Sequence, residues 1–439
     1  RIIGSGIFRT PAPIMALVAS TSLFGLVWVL GGLVTIFGAV IYAELAAMMP
    51  RSGGPYEYLK TAFHPFWAFL RGWAMFFVSE TASIAAVALI FGEYLNALWI
   101  IVYGEPFNRA ILYTVALGTI WLLTWVNLYG VHMSGMVQNF FGFVKVAAVG
   151  SIIGVAFTSW SSGNWANFAD PLFPEAWTGS TILAVGAAMR YSFFAFSGWE
   201  GATYIAEEIK NPRRNLPLSL FIGIGGVMVL YLGANAAYLF QLPPAKIAGS
   251  PWVATEVMTV AMGASGGILI SIAVMLNTFG NVSTQILCKA RTWQAMARDG
   301  MFFDWFAELH PKYRTPNNAL IGQAIWGTVL LTFAIIAENS YEMMIDFFSA
   351  TSTIFNIMVF AAVWAMRRKF PDVHRPYRAW LYPWSLIGIL AIYFVFLVIT
   401  LITAFVPSLV GLLLTASGAV YYYFKVVTPK RRAGIDARG

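Results

Sequence analysis

The chain has 439 residues, 59% of them hydrophobic and only 10% charged, with a formal net charge of +8 and a single cysteine, Cys288. A soluble domain carries about a quarter charged residues, so there are too few charges here to cover a water-facing surface, and the sequence reads as an integral membrane protein. The basic balance then belongs to loops rather than to a nucleic-acid-binding face, and one cysteine excludes an internal disulfide or a cysteine metal cluster.

Apolar runs of about 20 residues, enough to cross a bilayer, fall at 1–20, 23–48, 66–99, 110–128, 133–158, 178–208, 216–240, 266–293, 318–336, 343–366, 383–404 and 406–427. These make twelve spans. The run 252–264 is too short to cross and reads as a helix in a long external loop. The chain opens on Arg1-Ile2-Ile3-Gly4 as though inside a helix, and further residues are expected before it. With alternating spans, twenty Lys and Arg fall on the side of the loops that follow even-numbered spans, Lys289 and Arg291 among them, against Arg109 and Lys246 on the other. Such residues collect on the cytoplasmic side, so both termini are expected there, in a cell membrane.

The first span is interrupted by Gly4-Ser5-Gly6 and the sixth by Phe196-Ser197-Gly198. The breaks lie five spans apart, an odd number, so two units of five run in opposite directions. Gly-interrupted segments at matching places in two halves point to a midplane transport site. A broken helix frees amides on one side and carbonyls on the other, where lipid satisfies neither. The helix that starts near Ile7 turns its amides to the gap and suits a carboxylate. The carbonyls of Ile2 and Ile3 suit an ammonium, so a small zwitterion fits the whole. The same small residues also allow close helix packing; the pairing of the two breaks favours a site. The expected fold is an all-α membrane protein with a 5+5 inverted repeat and broken helices 1 and 6. Residues 1–366 form the transport core, and 367–439 hold helices 11 and 12 and a tail.

Three stretches carry a family resemblance: Gly4-Ser5-Gly6-Ile7-Phe8, then Pro50-Arg51-Ser52-Gly53-Gly54-Pro55-Tyr56-Glu57-Tyr58, then Phe196-Ser197-Gly198-Trp199 with Glu207-Glu208 and Asn211-Pro212-Arg213-Arg214-Asn215-Leu216-Pro217. Together they resemble the amino acid–polyamine–organocation superfamily, and within it the L-type amino acid transporter branch. The resemblance covers nearly the whole chain in order and spacing. It implies a LeuT-like fold and alternating access to an L-amino acid. By it, the substrate carboxylate meets Ser5, Gly6 and Ile7, the ammonium meets carbonyls of Ile2 and Phe196, and Phe196 and Trp199 are aromatic walls or a gate.

Lys145 lies deep in the fifth span, where a lysine costs about 2.5–3.5 kcal/mol and usually marks function. The resemblance makes it a tethered stand-in for a sodium ion, bridging the first and eighth helices through carbonyls around Gly4, the Ser283 hydroxyl and Tyr231. Sodium dependence is therefore not expected. Thr278, Asn281, Ser283 and Thr284 stripe the eighth span, and only Ser283 is assigned to this site. Glu207 or Glu208 pairs with Arg51 in an inner gate. Glu44, Glu80, Arg9 and Arg190 are further intramembrane charges, with Arg9 and Arg190 placed in an outer vestibule and their partners not evident from sequence.

No residue pattern resembles a metal site, a catalytic triad or a phosphate loop, so no cofactor and no enzymatic activity are expected. Animal members of the branch join a heavy chain through a loop cysteine; here Cys288 lies within a span, which implies a prokaryotic protein without a disulfide-linked partner. Exchange of neutral amino acids is the leading expectation. Proton-coupled uptake, cationic amino acids or polyamines (suggested by Glu200), and a non-transporting receptor are the alternatives.

Overall fold

The computed structural model describes residues 3–50, 54–130, 135–174, 176–201, 203, 209–336 and 340–428, with the side chains of all but 135–141 and 336. The first span is built from α1 (Gly6–Arg9) and α2 (Pro11–Val18), and the second is α3 (Thr21–Met48). After α4 (Pro55–Ala62), the third span runs unbroken through α5 (Pro65–Ala74), a π-helical turn (Met75–Ser79) and α6 (Glu80–Tyr103). Next come α7 (Arg109–Leu128), α8 (Gly135–Thr158), α9 (Gly179–Phe196) and α10 (Pro212–Gln241). The segment after α10 folds as α11 (Pro244–Gly249) and α12 (Val253–Met262) before α13 (Ala264–Arg298). The chain continues as α14 (Asn317–Ile336), α15 (Ser340–Lys369), α16 (Trp384–Thr403) and α17 (Phe405–Tyr422).

Nine helices among the described residues are long and apolar enough to cross a membrane. The broken first helix, α8 and α9 occupy the other three expected positions. Helix ends follow local chemistry. Pro65 opens α5 where its missing amide costs nothing, and the Asn108 side chain caps α7 by accepting from the Ile111 amide at 2.9 Å. The sixth span's first helix stops at Phe196, where its break was expected, and residues 204–208 at the far end of that span lie outside the described residues. The eighth helix reaches Arg298, five residues further than expected. Lys289, counted with the basic loop although it falls within the expected span, is buried inside the bundle.

The packing carries the internal repeat. Spans two and seven (α3 and α10), three and eight (α6 and α13), and four and nine (α7 and α14) pack along one another, and the broken first span lies against the sixth. Four of the five helices thus meet their counterparts from the other unit, as a pseudo-two-fold axis would arrange them, while the fifth, α8, packs on α10, α12 and α13. Helix α3 approaches α9 closely at Gly31, where a Cβ would lie 1.9 Å from Ser192 Oγ. Helices α16 and α17 pack on α15, and α17 also on α5.

Charged residues pin the end that carries the basic loops. The buried Glu44 carboxylate accepts from Arg367 Nε and Nη2 at 2.8 and 2.6 Å and from the Ala379 amide at 2.8 Å, with Arg375 Nε at 3.5 Å. Arg375 also donates to the carbonyls of Met366 and Phe370, so the segment after α15 folds back onto α3. Tyr377 in that segment is half-buried, and burial beside Glu44 pushes its hydroxyl up to about 12.

Candidate functional site

The first break is local in origin. Gly4 and Ser5 are bent rather than helical, and α1 starts at Gly6. Pro11 has no amide to give the Ile7 carbonyl four residues back. Tyr238 fills that role, its hydroxyl donating to Ile7 O at 3.4 Å, while Tyr94 donates to Phe8 O at 2.8 Å. Thr10 Oγ1 donates to Gly6 O at 3.0 Å and Asn277 Nδ2 to Gly4 O at 3.2 Å. Carbonyls that a continuous helix would satisfy internally are therefore held by side chains from α6, α10 and α13.

The second break follows Phe196. Ser197 is extended, its hydroxyl donates back to Phe194 O at 2.7 Å, and Gly198 adopts φ +84°, a left-handed conformation in which a side chain is strained. Tyr231 donates to the Ala195 carbonyl at 3.2 Å. The two breaks touch: a Cβ on Gly6 would lie 2.6 Å from Ala195 Cα.

A central cavity of about 190 Å³ is lined by Gly4, Ser5 and Gly6 from one break and Ser197, Gly198 and Trp199 from the other. That is below the range typical of drug-sized ligands. Serines of α15 and the polar residues Asn281 and Gln285 of α13 line it too, and it runs toward the basic end as far as Pro55 and Arg71. Trp199 packs edge-on against Tyr42, ring centroids 4.9 Å apart.

Other expected residues sit elsewhere. Ile7 has its side chain fully buried, and Phe196, 1% exposed, turns away from the cavity into an aromatic cluster with Trp28 and Tyr231 at 6.1 and 5.2 Å. Lys145 is half-buried on α8, a helix that packs on α13 and α10. Ser283 Oγ accepts from Asn127 Nδ2 of α7 at 3.3 Å. Tyr231 lies between the breaks, against the Gly4 backbone as well as Ala195. Ile2, Arg51, Glu207 and Glu208 lie outside the described residues.

Two features escaped the sequence reading. On α13 Asn277, Asn281, Gln285 and Lys289, spaced four apart, form a polar row of which the sequence reading named only Asn281 as part of a stripe; Asn277 meets the first break, and Gln285 and Lys289 meet the third span. Gln285 Nε2 donates to Asn281 Oδ1 at 3.3 Å, Ser83 donates to Gln285 Oε1 at 3.4 Å, and Lys289 pairs with Glu80 at 2.9 Å. The i, i+4 repeat in the sequence is the signal that could have revealed it. The second feature closes the opposite end. Arg9 pairs with Glu93 and Glu342, each at 2.9 Å, and Arg190 pairs with Asp346 at 2.8 Å and bonds Thr403. These residues join both broken spans to α6, α15 and α16. A second cavity of about 900 Å³ lies beyond them, lined by Arg9, Glu342 and Asp346, and Arg190 lines both cavities and so stands in the partition.

A bundle of membrane spans folded around a small polar cavity, with that cavity closed by ion pairs at one end, has the build of a membrane carrier. Over residues 1–428 the sequence matches the model of the amino acid permease family, and the chain belongs to that family. The human large neutral amino acids transporter small subunit 2 is 31% identical over 376 residues, covering 85% of this chain and 69% of its own. The human cystine/glutamate transporter is 27% identical over 434 residues, 98% of this chain and 83% of its own. The mouse Asc-type amino acid transporter 1 is 29% identical over 433 residues, 97% and 78%.

Proposed function

We propose that this protein is a sodium-independent secondary transporter that exchanges neutral L-amino acids by alternating access. One observation carries the reading: two interrupted spans from opposite units of the repeat meet at one cavity and present backbone to it. The amides of Ser5, Gly6 and Ile7 hold the substrate carboxylate, and carbonyls of Ile2 and Phe196 hold its ammonium. Backbone groups read what all amino acids share, and Trp199 with side chains of the third and tenth spans reads the rest. Relatives named for large neutral amino acids support the neutral class.

Lys145, with Tyr231, Ser283 and Gly4, acts as the fixed cation that couples the first span to the eighth. Arg51 with Glu207 or Glu208 forms the inner gate. The pairs Arg9–Glu93, Arg9–Glu342 and Arg190–Asp346 form the outer one. The basic end is cytoplasmic by the distribution of Lys and Arg, with both termini on that side of a cell membrane. Residues 1–366 make up the transport core and 367–439 flank it. Transport of this kind forms no covalent bond and needs no cofactor, so the protein is not an enzyme. Its partners are the amino acid and the lipid, without a disulfide-linked heavy chain, since Cys288 lies within α13.

Purified protein in liposomes tests this. Labelled leucine is expected to enter only vesicles loaded with unlabelled amino acid, with or without sodium. Entry into empty vesicles driven by a pH gradient would instead establish proton coupling, and no entry under either condition would refute transport.

A further inference from the structure

The third span keeps one row of residues on the cavity over an unusual length: Arg71, Met75, Ser79, Ser83 and Val87 all line it. Residues four apart on an α-helix drift by about 40° each time, so such a row would leave the cavity within a few steps. The π-helical turn Met75–Ser79 winds more slowly and resets the row. It also delivers Glu80, the first residue beyond it, to the cavity wall.

Glu80 and Lys289 are placed asymmetrically. The Glu80 side chain is 19% exposed, whereas Lys289, with Nζ 2.9 Å from Glu80 Oε1, is 3% exposed. Asn281 and Gln285 of α13 reach the wall, while Lys289, the next residue on their face, is sealed behind the acid. Among the other charges on the wall, Arg71 and Glu200 are of opposite sign and Arg190 is answered by Asp346. Glu80 and the buried Lys289 behind it are therefore one pair that sets the charge balance a passing solute senses. In a site shielded from water an uncancelled carboxylate attracts cations far more strongly than it does in solution.

We infer that Lys289 is a selectivity-determining residue: it cancels the Glu80 charge from behind the wall, so that the cavity admits neutral amino acids and rejects cationic ones. Glu80 without Lys289 is a ready partner for the ammonium or guanidinium of a lysine-, ornithine- or arginine-like side chain. This inference rests on the amino acid exchange proposed above and names the residue that sets its substrate class.

The test measures exchange of labelled leucine by the full chain in leucine-loaded liposomes, with external ornithine as competitor. The wild type should exchange leucine and ignore ornithine. In Lys289→Met, ornithine should compete roughly tenfold more strongly, which corresponds to about 1.4 kcal/mol of binding. The double variant Glu80→Gln/Lys289→Met, which removes both charges, should ignore ornithine again. A monodisperse Lys289→Met protein that still ignores ornithine overturns the inference. Should that variant fail to fold, Glu80→Gln provides the mirror experiment. With the acid gone, the buried ammonium should make external glutamate a competitor, and a folded Glu80→Gln protein indifferent to glutamate overturns the inference equally. A wild type that exchanges no leucine is a separate failure, of the transport reading and not of Lys289.

Discussion

The two breaks look alike in sequence and differ in how they are held. At the first, Gly4, Ser5 and Gly6 are buried, and carbonyls from Gly4 to Phe8 receive side-chain donors from Asn277, Thr10, Tyr238 and Tyr94. At the second, Ser197 is exposed to the cavity and spends its hydroxyl on its own helix, and among the described residues the Ala195 carbonyl behind it takes a donor from another span, Tyr231. One break is clamped by three neighbouring helices; the other hangs on a left-handed glycine with open space in front of it. Few tertiary contacts and exposed backbone mark the segments that move at low cost. The first break is therefore expected to act as the frame of the site and the second as its moving jaw.

Closing the space between frame and jaw should have the largest effect. Gly6→Val puts branched carbon where a Cβ already lies 2.6 Å from Ala195 Cα. Displacing either break by about 1 Å should reduce leucine exchange on the order of 100-fold. A near-normal rate would show that the breaks need not touch. Unclamping the frame should cost less. Asn277→Ala removes the donor to Gly4 O, and an unsatisfied buried carbonyl costs about 1–3 kcal/mol. Exchange should fall roughly tenfold. The matching change on the jaw, Ser197→Ala, should stay within about twofold, because that hydroxyl serves only its own helix. Equal losses at the two positions would erase the distinction.

Much of this was legible in the sequence because it is local. The spans announce themselves by length and apolarity, and Gly4-Ser5-Gly6 and Phe196-Ser197-Gly198 mark the breaks by helix propensity alone. What clamps the first break was not legible. Pro11 says that the Ile7 carbonyl needs a donor but not that Tyr238 supplies it, since that contact joins residues 231 positions apart. The same limit hid the partners of Arg9, Arg190, Glu44 and Glu80, each on a different span. It also misdirected two assignments. Phe196 sits at the break yet packs into Trp28 and Tyr231, because the end of α9 turns that face toward α3 and α10. Lys289 was counted with a basic loop because its neighbours Arg291 and Arg298 look like one, whereas α13 continues past it and Glu80 offsets the burial of its charge.

The central claim is that backbone at the two breaks grips the head of an amino acid. A head-group deletion series tests it most directly, by measuring competition against labelled leucine exchange with leucine, leucinamide, N-acetyl-leucine and the corresponding 2-hydroxy acid. The account predicts that leucine alone competes well, and that loss of either the carboxylate or the ammonium weakens competition at least tenfold. Side chains one methylene shorter should change it only severalfold. If leucinamide or the hydroxy acid competes as well as leucine, the naked peptide groups at residues 4–6 and 196–198 do not hold the substrate.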